Sequence, residues 1–159
     1  MGIGIVKVRP AGCLPLLALV AALAVDHREA DAQAAASASA DRFLGAWELV
    51  DWRTTDGAGT VRFPYSEGAQ GQITYSADGR MSAHLMRPPE DPADAPPQYL
   101  GYWGTFSLQP AEGTVTHHVI GSTQENWIGS DQVRRFSFEG DDRLVLALGS
   151  NRLTWERVR

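Results

Sequence analysis

The stretch GTVTHHVIGSTQENWIGSDQVRRF sets two adjacent histidines, His117 and His118, in one run and two adjacent arginines, Arg134 and Arg135, in the next, with Trp127 between them. An imidazole near neutral pH moves protons or ligates metals. A guanidinium grips carboxylates and enolates through a fixed fork of donors. Both runs alternate polar and apolar residues as strands do, so consecutive side chains face opposite sides. His117 shares the apolar phase of Val115 and Val119 and is predicted to face inward, with His118 outward beside Thr116 and Ile120. By the same parity Arg134 faces inward with Phe136 and Phe138, and Arg135 outward with Ser137 and Glu139.

An inward arginine needs a partner, because a buried unpaired charge is expensive. Three kinds are open: an internal carboxylate such as Glu156 or Asp51, a set of backbone carbonyls, or the carboxylate or enolate of a ligand. His117 is either a core residue satisfied by hydrogen bonds or a group that relays a proton. His84 falls in the polar phase Ser82-His84-Met86 and is expected at the surface or rim. No metal site is predicted, since the adjacent histidines must diverge and no carboxylate stands at ligand spacing with them. Gly-x-Ser-x-Gly and glycine-rich phosphate loops are missing, and no cofactor is expected. Parity brings no Ser/His/acid set together either, so no catalytic residue is assigned.

The elements that must hold these groups are short. From Trp47 onward the runs WELVDWRT, GQITYS, RMSAHLM, YWGTFSL, TVTHHVIG, QVRRFSFE, RLVLALG and RLTWERV alternate in apolarity, and turn sequences such as SADGR, QPAEGT, EGDDR and GSNR separate several of them. Eight strands joined by tight turns pair antiparallel in meander order, and such a sheet removes its edges by closing. An all-β, antiparallel, up-and-down eight-stranded barrel is therefore expected, enclosing packed side chains or one small ligand. Its inward phases are Ile73 and Tyr75; Met81, Ala83 and Leu85; Tyr102, Phe106 and Leu108; Phe136 and Phe138; Leu144, Leu146 and Leu148; Leu153 and Trp155. Trp127, in a polar turn, is placed at one barrel end as a plug or a rim. The Pro-rich RPPEDPADAPPQ, residues 87–98, reads as a long surface loop able to lid an opening.

At the N-terminus, Lys7 and Arg9 precede AGCLPLLALVAALAV, an apolar run of the length of a signal-peptide core and short for a membrane span. Residues 1–32 read as an export signal cleaved near Ala32, with Ala22 and Ala24 as alternative sites, and residues 33–40 as a flexible linker before a domain spanning 41–159. Cys13, the single cysteine, leaves with the signal, so the mature chain suits an oxidising compartment without a disulfide. A secreted or periplasmic location is the expectation. Basic and acidic residues balance within 1–32, so the net charge of −5 belongs to the mature chain, which has no basic run for nucleic acid.

The opening FLGAWELVDW, with Gly45 and Trp47, resembles the Gly-x-Trp start of the lipocalins, in which a basic side chain from near the last strand covers the Trp. Arg157 of LTWERV is the matching cation here. Together YSADGRMSAHLMRP, GTFSL, GTVTHHV, NWIGSDQVRRF and RLTWERV resemble the bacterial and fungal lipocalin-like domain family across about Phe43 to Val158. The resemblance implies a calycin-type barrel. It leaves three functions open: an exported binder of a small, largely apolar molecule; a cofactor-free isomerase or cyclase of a polyketide- or terpenoid-like substrate; or a filled structural, stress-protective barrel. Binding rather than catalysis is the leading expectation, with His117, Arg134, Tyr75, Tyr102, Trp127, Phe136 and Trp155 as the ligand set and an apolar or amphipathic small molecule as the partner.

Overall fold

The computed structural model describes residues 33, 34, 37, 39–88 and 98–159. Residues 1–32, expected to be an export signal, and most of the Pro-rich stretch lie outside them, as does any lid role for that stretch. The described residues between 33 and 43 are helical.

Nine strands follow: β1 (Gly45–Thr55), β2 (Val61–Arg62), β3 (Gln70–Tyr75), β4 (Arg80–Arg87), β5 (Gln98–Gln109), β6 (Thr114–Ser122), β7 (Asp131–Glu139), β8 (Arg143–Leu148) and β9 (Asn151–Arg157). Each of β3 to β8 pairs with its successor, β1 pairs with β3, and β9 returns to β1, all antiparallel. Eight strands thus close the expected up-and-down barrel. The two-residue β2 is an addition to that expectation: it pairs with the far end of β1 through Thr54 and Thr55.

Closure needs irregularities, and two bulges supply them. In β1 the pairing with β9 shifts between Leu49 and Asp51, leaving Val50 exposed. That extra residue lets Trp47 and Trp52, of opposite parity, both turn toward the interior. The second bulge, in β6, leaves Ile120 outside, because Trp103 and Gly104 of β5 face Gly121 and Val119. A Cβ on Gly104 would lie 1.9 Å from the His118 carbonyl oxygen, so only glycine permits this crossing.

One end of the barrel is filled. Phe43 is fully buried and meets Tyr75, Phe136 and Phe138 edge-on at centroid separations of 5.1, 4.9 and 5.3 Å. Burying such a ring contributes about 1.5–3 kcal/mol. Its carbonyl accepts the Trp47 indole N–H at 2.9 Å. Above Trp47 lies Arg157, its guanidinium carbon 4.1 Å from the ring centroid and its Nη1 and Nη2 donating to the Leu44 and Arg42 carbonyls. The cation expected from LTWERV is in place and ties β9 to the chain entering β1. Arg157→Met should therefore cost about 1–2 kcal/mol, the loss of a cation–π contact and charged hydrogen bonds, read as a lowered urea midpoint with unchanged slope.

The inward phases hold with one correction. Leu148 is 49% exposed, because it stands at the last register pair before the β8–β9 turn, where the wall ends. It forms a lip of the barrel, not part of the core.

Candidate functional site

Beyond the aromatic plug the interior is hollow. A cavity of about 160 Å³ is walled by Ile73, Ala83, Leu85, Leu100, Leu146, Leu153 and Trp155, with Trp52, Leu148, Asn151 and Trp127 toward the open end. Its polar wall consists mainly of Arg134 and Tyr102. Among the described residues no acidic side chain lines it.

Arg134 comes from β7 and pairs in register with Val115 of β6, so its parity turns it inward as the sequence predicts. It is 9% exposed, and its Nη1 has no hydrogen-bond partner among the described residues. Among the described residues no internal carboxylate pairs with it. Asp51 pairs with Arg53 at 2.6 Å, and Glu156 lies in the exposed phase of β9. What faces Arg134 is the ring of Trp127, 6.0 Å from the guanidinium carbon, and the Tyr102 hydroxyl, whose ionised form it favours by charge and hydrogen bonding. A second donor is stranded nearby: the Trp155 indole nitrogen is buried without a partner among the described residues. Trp47 shows the ordinary outcome, its indole N–H satisfied by a carbonyl.

Behind Tyr102 runs a chain of polar groups. The Tyr102 hydroxyl lies 2.9 Å from His117 Nδ1, and the Tyr75 hydroxyl lies 2.8 Å from His117 Nε2. Register produces this arrangement: Tyr75 sits on β3, Tyr102 on β5 and His117 on β6, all in inward phases. Burial first, then the Arg134 charge, lowers the His117 pKa to about 3, so the imidazole is neutral. Burial likewise raises Tyr75 well above its ordinary value, and raises Tyr102 against the opposing pull of Arg134. A neutral imidazole and two phenols carry three polar hydrogens, and two links consume two of them. One hydroxyl hydrogen is left over. With the imidazole proton on Nδ1 that surplus hydrogen belongs to Tyr102 in the cavity wall, and with it on Nε2 to Tyr75.

Trp127 ends a short 3₁₀ turn, Glu125–Trp127, in the β6–β7 connection. Half-buried, it packs edge-on against Tyr102 at 5.4 Å and covers Arg134 from the open end. Of the seven residues expected to form the site, Arg134, Tyr102, Trp127 and Trp155 therefore meet at the cavity. His117 and Tyr75 stand one layer behind, reaching it through Tyr102, and Phe136 belongs to the plug under Phe43. Trp52 and Asn151 were not foreseen, although the opposite parities of Trp47 and Trp52 in one apolar strand signal a bulge. Asn151 accepts the Trp52 indole N–H at 3.0 Å, which fixes both at the mouth. His84 is at the surface, stacked on Tyr99 with its Nδ1 2.5 Å from the Tyr99 hydroxyl. Among the described residues no three His, Cys, Asp or Glu side chains gather as metal ligands, and no helix is long and apolar enough to cross a membrane.

Residues 44–158 match the family model of the lipocalin-like domain. The chain belongs to that lipocalin-like family. Among solved structures, a lipocalin-like protein from Bacteroides uniformis is similar at 12% identity and a TM-score of 0.49, covering 74% of this chain and 99% of that one. An uncharacterized protein from Bacteroides eggerthii is similar at 14% identity and a TM-score of 0.47, covering 73% and 99%. No curated protein matches significantly. Within the lipocalin-like barrel, the mixture of a packed base and a hollow upper half is what sets the capacity of the site.

Proposed function

We propose that this lipocalin-like barrel is an exported binding protein for a small, largely apolar molecule carrying one hydrogen-bond-accepting or anionic end. One observation carries the reading: the cavity wall presents donors without acceptors. Among the described residues Arg134 Nη1 and Trp155 Nε1 are buried and unpartnered, the relay through His117 leaves one hydroxyl hydrogen over on Tyr102 or Tyr75, and no carboxylate lines the space. Buried donors left unsatisfied cost about 1–3 kcal/mol each. A carboxylate or ketone oxygen placed against Arg134 and Tyr102 recovers that cost, with the apolar remainder lying along Leu85, Leu100, Leu146 and Leu153.

The volume bounds the ligand. Cavities of about 150 Å³ accept benzene, so a ring or branched chain of about six to ten carbons fits, with anything longer emerging past Trp127 and Leu148. The filled-barrel reading fits the base of the molecule, where Phe43, Trp47 and Phe138 pack together, and not the upper half. Export rests on the composition of residues 1–32 and places the barrel's action in the periplasm or outside the cell.

The test is native mass spectrometry of the mature protein purified without denaturation, followed by extraction of bound small molecules and by titration with 4-methylbenzoate and with p-xylene. The expected result is a stoichiometric complex with the acid at micromolar to millimolar concentrations and a weaker one with the hydrocarbon. Binding of neither, with no co-purifying mass, would oppose the proposal.

A further inference from the structure

On the outer wall, away from the cavity, three side chains from three consecutive strands form a second constellation. Ser107 Oγ of β5 lies 3.0 Å from His118 Nε2 of β6, and His118 Nδ1 lies 2.7 Å from Asp131 Oδ1 of β7. His118 and Asp131 are register partners, while Ser107 is the diagonal neighbour of His118, two residues beyond its partner Thr105. Parity of a single strand cannot show such a set, because its members meet only through the register between strands. In the neutral imidazole the carboxylate sets the polarity of the arrangement. Asp131 accepts the Nδ1 proton, which leaves the Nε2 lone pair to receive the hydrogen of Ser107. Nucleophile, base and orienting acid stand in the order that acyl transfer requires.

The same face provides a place for a substrate. A groove of about 390 Å³ runs along the outside of β3 to β6, lined among others by Trp103, Gly104, Thr105 and Ile120. None of the three side chains lines it, but Thr105, which does, is the register partner of His118, and Ile120 is two residues from His118 on the same face, so the groove begins beside His118. Trp103 and Ile120 are 54% and 53% exposed, an apolar floor displayed to solvent by the β6 bulge. Bulges gather beside active sites because they re-aim side chains.

We propose that Ser107, His118 and Asp131 form an acyl-transfer site that takes small carboxylic esters whose apolar part lies against Trp103 and Ile120. Ser107 Oγ bonds to the acyl carbon while its proton passes to His118 Nε2. The carbonyl oxygen takes negative charge, and Thr105 offers a hydroxyl donor on that face. Collapse breaks the ester C–O bond, and the leaving alkoxide receives the proton from His118. Water then attacks the acyl-serine, gives a proton to His118, and releases the carboxylic acid as the Ser107–carbonyl bond breaks and the proton returns to Ser107.

The full-length mature protein is treated with an ethyl fluorophosphonate, and the adduct is located by peptide mapping, while hydrolysis of p-nitrophenyl butyrate is followed in parallel. The expected results are phosphonylation at Ser107 and a fall of about tenfold or more in ester hydrolysis in Ser107→Ala and in Asp131→Asn. Binding of 4-methylbenzoate in the cavity is unaffected by Ser107→Ala, which reports an intact barrel. No adduct, an adduct mapped elsewhere, or hydrolysis undiminished in Ser107→Ala would overturn the proposal.

Discussion

Arg134→Met is expected to stabilise the protein and to abolish its preference for acids. The guanidinium is nearly buried and, among the described residues, has no carboxylate within reach and leaves Nη1 without a partner. A buried charge of this kind costs more than its desolvated neighbours return, and replacement by an apolar chain of similar volume is expected to raise stability by about 1–3 kcal/mol. Methionine fills irregular space beside aromatic rings, so Trp127 and Tyr102 keep their packing. Tyr102 also keeps its bond to His117. The same change removes the charge-assisted hydrogen bond to a ligand oxygen, worth about 1.5–3 kcal/mol, or roughly 10- to 100-fold in the affinity for 4-methylbenzoate, while p-xylene binds as well or better. Urea unfolding and calorimetric titration of the two proteins read both halves. Destabilisation together with unchanged acid affinity would mean that Arg134 serves the fold.

The second large effect is a fall in stability with acidification that His117 controls. Its ordinary pKa of about 6.5 drops to about 3 in the folded barrel, where burial and then Arg134 disfavour the imidazolium. The unfolded chain takes up a proton as pH falls through about 6.5, and the folded chain does not until about pH 3. The stabilisation is whole above pH 6.5 and is lost progressively below it, at about 1.4 kcal/mol per pH unit and on the order of 5 kcal/mol in total. His117→Gln retains hydrogen-bonding groups between the two tyrosines and cannot titrate. The difference in unfolding free energy between the two proteins, measured by urea titration from pH 8 to pH 4, should therefore narrow steadily below pH 6.5. A constant difference would show that His117 is protonated, or solvated, in the native state.

Much of this was legible beforehand because a strand's period is short and strict. The inward placement of His117, Arg134, Tyr75, Tyr102 and Trp155 follows from their apolar neighbours two residues away, and the Arg157–Trp47 stack from the resemblance at the two chain ends. What parity cannot see is register. Trp52 reaches the cavity only because Val50 is squeezed out of the ladder, and Leu148 leaves the core only because the wall stops there. Depth along the barrel axis is equally hidden. Phe136 and Arg134 share a face, yet one lies in the plug and the other in the cavity. The Ser107–His118–Asp131 set is the clearest case, since each member alone is an ordinary polar residue on an outer face.

The central claim is that the Arg134 guanidinium is the ligand's anchor, and the most direct measurement observes that group itself. In protein labelled with ¹⁵N arginine, the Nε and Nη resonances of Arg134 are followed as 4-methylbenzoate is added. The account predicts that these signals move downfield and exchange more slowly, saturating together with the indole signals of Trp127 and Trp155. Saturable binding of the acid that leaves the Arg134 resonances unmoved would contradict it.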